Sequence, residues 1–179
     1  MDIFQVNTME YHVSNHNSTI PGALCDRGAN GCLAGGDVML IETDPNRFVD
    51  ITGINNAKID NIPIATVAAL ATCQHGSVIL IIHQAAYIGK SRTILSSAQM
   101  EHYWNRVDDC STRVGGKQAI FTLDDCVLPL HICSGLPFLD LRKPTEDEYL
   151  QLPHVILTSD VTWDPSVLDH EHNLLDNTI

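Results

Sequence analysis

The chain has 179 residues, 44% of them hydrophobic and 18% charged, which is the composition of a globular domain and not of a disordered segment. Ten basic against 22 acidic side chains give 10 − 22 = −12, so no direct nucleic-acid partner is expected. The longest apolar run, Val78 to Ile82, is too short to span a bilayer, so no membrane partner is expected either.

Six cysteines lie at positions 25, 32, 73, 110, 126 and 133, and none forms a C-x-x-C pair. Asp2 and Gln5 beside Met1 are wrong for a secretory n-region. The expectation is an intracellular, cytoplasmic chain whose thiols are reduced and mostly buried as small hydrophobes. An even count also permits disulfides, whose connectivity a sequence does not give.

In chain order, residues 1–20 read as a polar leader with at most one strand. His12 and His16 have a helical metal-ligand spacing, but Val13-Ser14-Asn15 is poor helix material, so they read as solvated. Gly22 to Asp26 is the first strand, and the chain then turns at Gly28 and Gly31. Asp37 to Glu42 is the second strand. Thr43-Asp44-Pro45-Asn46-Arg47 reads as a loop. Phe48 to Ile54, Asn55-Asn56 and the extended residues after them predict a hairpin with Gly53 near its tip, at positive φ. Lys58 to Ala71 reads as one or two short strands, with Ala68-Ala69-Leu70-Ala71 leaving a helix open. Gln74-His75-Gly76 turns into Ser77 to Gln84, a Val- and Ile-rich strand expected to be buried on both faces.

Ile94, Leu95, Ala98 and His102 recur at helical spacing, which predicts a short helix within Ser91 to Tyr103, capped by Ser91 or Thr93. Strands are then predicted over Gln118 to Thr122, Cys126 to Cys133 and Leu136 to Leu141. Thr145-Glu146-Asp147-Glu148 has capping-box form and opens a helix to Leu152. His154 to Thr158 is a last strand. Residues 159–179 are acidic and turn-rich, with Trp163-Asp164-Pro165 packing locally. The domain reading is therefore a leader over 1–20, a β domain over 21–141 and a C-terminal β/α extension with an acidic tail over 142–179.

The chemistry concentrates in Leu24-Cys25-Asp26-Arg27-Gly28-Ala29-Asn30-Gly31. An apolar strand ends in a carboxylate, and a glycine two residues on lets the backbone approach it without a Cβ in the way. Gly28 is thus expected to aim its N–H at Asp26. The same residues also suit an ordinary strand-to-turn junction. His170-Glu171-His172 lacks a further ligand cluster, so no metal is expected there. Cys25 has no ordered histidine partner for nucleophilic work. Gly35-Gly36 and Gly115-Gly116 do not precede a helix as phosphate loops do.

The order of these pieces resembles the retropepsin-like aspartic protease region of Copia-type retrotransposon Gag-Pol polyproteins. Asp26-Arg27-Gly28-Ala29 is similar to the D-[ST]-G-A signature of that family, departing at its second residue. Ile51-Thr52-Gly53-Ile54 falls where the family has a Gly-rich flap. Ala86-Tyr87-Ile88, then Thr93-Ile94-Leu95-Ser96-Ser97-Ala98-Gln99-Met100, looks like its strand and helix entry, and Gly135-Leu136-Pro137-Phe138-Leu139 is similar to its following strand. The likeness covers about residues 20–141.

This resemblance implies a mainly β, closed acid-protease barrel with one short helix after the core strands. It implies a homodimer, because the sequence has a single Asp-x-Gly turn, and an extended polypeptide, the polyprotein, as substrate. Asp26 would be catalytic, Arg27, Gly28 and Ala29 would form the active-site turn, and Ile51, Thr52, Gly53, Ile54 and Asn55 would form the substrate-binding flap. No metal or organic cofactor is implied. Arg27 stands where the family carries a hydroxyl that braces the two turns, and a guanidinium is long, planar and always charged. A second expectation, from a different class, is therefore a non-catalytic dimerisation or peptide-binding module of the same fold.

Overall fold

The computed structural model of the chain describes Met9, Tyr11 and residues 22–170. The rest of the leader, including His12 and His16, and the tail with Glu171 and His172 lie outside the described residues. In chain order the strands are β1 (Ala23–Asp26), β2 (Leu33–Ala34), β3 (Met39–Thr52), β4 (Lys58–Cys73), β5 (Gly76–Tyr87) and β6 (Ile94–Ser96). Helix α1 (Ser97–His102) follows, then β7 (Arg106–Asp108), β8 (Ala119–Phe121), β9 (Val127–Cys133) and β10 (Leu136–Leu139). Helix α2 (Glu146–Gln151) and β11 (His154–Ile156) follow, and a 3-10 helix spans Pro165–His170.

Side-chain alternation builds the centre. Successive residues of a strand point to opposite faces. Val67, Ala69 and Ala71 of β4 therefore pack in one apolar cluster with Val78, Leu80 and Ile82 of β5. Ala68 and Leu70 pack in another with Ile79 and Ile81. The two-faced burial predicted for Ser77 to Gln84 is thus present. The second face is covered by the C-terminal segment, through Tyr149 of α2, Leu152 and Ile156 of β11. These three side chains are partly buried there, and the apolar area removed from water, at about 25 cal/mol per Å², favours that segment lying on the sheet. Thr145 and Glu148 form the predicted capping box at the start of α2.

Around this centre the strand order is β3-β4-β5-β2-β6-β1-β10-β9-β8-β7, with β11 pairing β5 in parallel. The chain is mainly β, with few helices, as predicted. The closed barrel is not formed: the sheet curls into a half-barrel that stays open between its end strands β3 and β7. The β3–β4 pair outgrows the rest of the sheet as an antiparallel hairpin of 14- and 16-residue strands. No helix among the described residues is long and apolar enough to cross a membrane.

Three local expectations need correction. The loop expected at Thr43 to Arg47 lies inside β3, whose pairing slips between Thr43 and Phe48. Pro45 lacks an N–H, and an irregular stretch of an edge strand is where a sheet tolerates it. Lys58 to Ala71 is not short strands or a helix but most of one strand, β4. The short helix begins after Ser96, not Ser91 or Thr93. Ile94–Ser96 pair with β1 instead. The Thr93 hydroxyl donates to Asp37 at 2.6 Å and accepts the Gly35 N–H at 3.0 Å, so it is used across the fold. Gly35 allows that approach, since a Cβ there would lie 2.3 Å from the Ser91 carbonyl oxygen.

Candidate active site

The acid sits on an internal strand. Leu24, Cys25 and Asp26 pair in parallel with Ile94, Leu95 and Ser96, while Ala23 and Leu24 pair antiparallel with β10 on the other side. Ala23, Leu24 and Cys25 are buried, and the chain emerges at Asp26, which is half-buried. The turn then closes as the sequence predicts. The Gly28 N–H donates to Asp26 Oδ1 at 2.8 Å, and the Ala29 N–H donates to the Asp26 carbonyl at 3.2 Å. A Cβ on Gly28 would stand 3.2 Å from that carboxylate oxygen, so the glycine leaves the oxygen room. An N–H aimed at a carboxylate oxygen fixes the direction of the side chain.

The turn is held to α1 by two side chains that sequence reasoning did not single out. The fully buried Ser96 hydroxyl donates to the Ala29 carbonyl at 2.8 Å and accepts the Gln99 N–H at 3.1 Å, capping α1 with the same oxygen. Gln99 Oε1 accepts the Cys32 N–H at 2.8 Å, while its Nε2 donates to the Gln84 carbonyl at 3.1 Å. One buried amide thus joins the end of the acid turn to β5. The polar pair Ser-x-x-Gln ahead of Met100 was a visible helix-start signal. Its reach to Ala29 and Cys32 was not.

Arg27 points to its own chain's carboxylates. Its Nη1 donates to Glu101 Oε1 at 2.8 Å and its Nη2 to Glu101 Oε2 at 3.3 Å, a two-pronged pairing. Nε donates to Asp109 at 3.3 Å and Nη2 to the Val107 carbonyl at 3.1 Å. Its pKa is raised, chiefly by the Glu101 hydrogen bond, with burial opposing and Asp109 adding. Half the side chain is exposed (50%), so the pairing contributes about 1 kcal/mol at most. It ties the acid turn to α1 and to the segment after β7.

The flap residues form the hairpin end. Ile51 pairs with Ile59 and Thr52 with Lys58, and the Gly53 N–H donates to the Ala57 carbonyl at 2.7 Å. Gly53 does not have the positive φ expected of it. That conformation falls on Asn55 (φ 60°) and Asn56 (φ 59°), residues that tolerate it better than most. The bridge from this hairpin to the acid turn runs through its stem. Arg47 Nη2 donates to the Trp163 carbonyl, and Trp163 Nε1 donates to the Asn30 carbonyl at 2.8 Å. The Trp163 N–H donates to Gln84 Oε1 at 3.2 Å, and its ring lies 5.2 Å from that of His102. Trp163 therefore packs across the fold onto the turn and not merely locally.

The thiols beside the acid are not suited to nucleophilic work. Burial raises the pKa of Cys25 strongly, and pushes Cys32 up to about 12 against the opposing Ser96 N–H hydrogen bond. A cleft of about 540 Å³ lies between α1 and residues 159–167, walled by Trp104, Val161, Trp163 and Val167 among others. Asp26 does not line this cleft. No group of three or more His, Cys, Asp or Glu side chains suited to a metal occurs among the described residues. No protein-family model, curated protein or solved structure matches the chain.

Proposed function

We propose that the chain is one protomer of a homodimeric, retropepsin-like aspartic endopeptidase that cleaves an extended polypeptide within a retrotransposon polyprotein. The observation that carries this reading is the Asp26 carboxylate at the end of a strand paired on both sides, receiving the Gly28 N–H. The long β3–β4 hairpin and the capped helix directly after β6 support it, since both lie where the resemblance expects them. The single Asp-x-Gly turn makes a two-fold pair of chains the natural way to supply a second carboxylate.

In such a pair the two Asp26 carboxyls share one proton, because like charges about 3 Å apart do not both ionise cheaply. The charged carboxylate takes a proton from a water held between them. That water attacks the scissile carbonyl carbon while the neutral carboxyl donates a hydrogen bond to the carbonyl oxygen. The substrate lies extended beneath the two hairpin ends, held by main-chain hydrogen bonds. The intrachain pairing of Arg27 with Glu101, Asp109 and Val107 holds the turn within its own chain, whereas the hydroxyl of the family pattern braces one turn against the other.

The test is cleavage of a long unstructured peptide library between pH 4 and pH 8, with Asp26→Asn as control. Wild type is expected to cleave and Asp26→Asn to lose roughly 10²–10⁴-fold in rate with its fold intact. Equal rates would remove Asp26 from the mechanism. A wild-type dimer that cleaves nothing would favour the non-catalytic module.

A further inference from the structure

Cys73 and Cys126 meet in the interior far along the chain from the acid turn. Cys73 ends β4 and Cys126 immediately precedes β9, and their sulfurs lie 3.4 Å apart. Both residues are buried, at 7% and 5% exposure. Their approach does not depend on the sulfurs. Gln74 clamps the backbone on either side of Cys126: its Nε2 donates to the Asp125 carbonyl at 2.8 Å, and its Oε1 accepts the Val127 N–H at 2.7 Å. Thr122 holds the other flank, its hydroxyl accepting the Cys126 N–H at 2.9 Å. Two strands distant in sequence are thus fixed with two thiols facing each other. No third ligating side chain joins them among the described residues, which argues against a metal as the reason for the pair.

We propose that Cys73 and Cys126 are a reversible dithiol–disulfide site, oxidised by a small disulfide of the glutathione class. The closure asked of the sulfurs is small, from 3.4 Å to the covalent distance of about 2.05 Å. Cys73 attacks first. It adjoins the exposed turn Gln74–His75, and the His75 N–H lies 3.4 Å from its sulfur. The Cys73 thiolate displaces one glutathione thiolate and forms a mixed disulfide. The Cys126 thiolate then attacks the Cys73 sulfur and displaces the second. The protein loses two electrons and two protons, and one oxidised glutathione becomes two reduced ones. Burial, with Cys73 adding, pushes the Cys126 thiol up to about 11, so resolution of the mixed disulfide is the slower of the two steps. The site does not depend on Asp26 or on the endopeptidase reading.

The test incubates the purified full chain with oxidised glutathione at pH 8, then alkylates free thiols in denaturant and maps the peptides by mass. The expected result is a Cys73–Cys126 linked peptide about 2 Da lighter than the two thiol peptides together. Cys25 and Cys32 remain open to alkylation after denaturation. The exposed Cys110 and Cys133 carry glutathione as mixed disulfides. The linked protein melts roughly 5–10 °C higher, reduction reverses the shift, and Cys73→Ser and Cys126→Ser each abolish it. The proposal is overturned if Cys73 and Cys126 both stay alkylatable once Cys110 and Cys133 have reacted fully. It is equally overturned by a bridge to another cysteine, by a mixed disulfide on Cys73 that never resolves, or by a linked form that melts lower.

Discussion

The acid turn and the β3–β4 hairpin are built in opposite ways. The strand that ends in Asp26 is paired on two sides, the turn's polar groups go to Ser96 and Gln99, and Trp163 packs across its far end. The hairpin end has Lys58, Ile59, Asp60 and Asn61 exposed along one strand, and its stem interrupts its own pairing between Thr43 and Phe48. One region is held by many partners and the other by few. The contrast suits the roles proposed for them, a water-activating carboxylate held in one geometry and a cover that opens and closes.

The largest break in that contrast is expected from Trp163→Ala, which removes the piece joining the two regions. Loss of a buried Trp costs about 3 kcal/mol, read from urea unfolding, and cleavage is expected to fall with it. A loss below about 0.5 kcal/mol would show that the turn holds without its clasp. Ser96→Ala attacks the turn from beneath. It removes a helix cap and leaves the half-buried Ala29 carbonyl without its donor, together about 1–2 kcal/mol. Ser96→Thr keeps the hydroxyl and is expected to recover part of that loss.

Arg27→Ser tests the rigid side more gently. The exposed pairing with Glu101 and Asp109 makes the expected loss under about 1 kcal/mol, with a weaker dimer by sedimentation. A guanidinium near two shared carboxyls would lower their upper pKa, so removing it would move the alkaline limb of the pH–rate profile upward. Since Arg27 faces Glu101 and Asp109, that limb is expected to stay in place. An upward shift would show that Arg27 acts on Asp26 in the assembled dimer. The smallest effect belongs to Gly53. Gly53 has no positive φ, and a Cβ there would meet only the Ala57 carbonyl oxygen, at 3.9 Å. Gly53→Ala is therefore expected to change stability by less than about 0.5 kcal/mol, whereas Asn55→Val, forced into the left-handed region, costs about 1–2 kcal/mol.

What the sequence made legible follows the range of the interactions. The Gly28 N–H on Asp26, the capping box at Thr145 and the two-faced burial of β5 arise within a few residues or from a period of two, and they read directly. The start of α1 did not, because Ile94–Ser96 are claimed by pairing with β1, and the Thr93 hydroxyl by Asp37, 56 residues away. Residues 43–47 looked like a loop because Pro45 and Asn46 carry turn chemistry, yet the edge position of β3 tolerates them. The closed barrel failed for a related reason. Local patterns give strands and turns, but closure depends on whether the two end strands meet. The clasp from Trp163 to Asn30 spans 133 residues, and no local pattern encodes it.

The central proposal is that one water is activated by two Asp26 side chains, one from each copy. Mixing wild type with Asp26→Asn at constant total protein, after subunits have exchanged, tests this most directly. If every working site needs both carboxyls, activity follows the square of the wild-type fraction, so an equal mixture retains about one quarter. A linear fall to about one half would mean that each chain works alone, and would contradict the shared site.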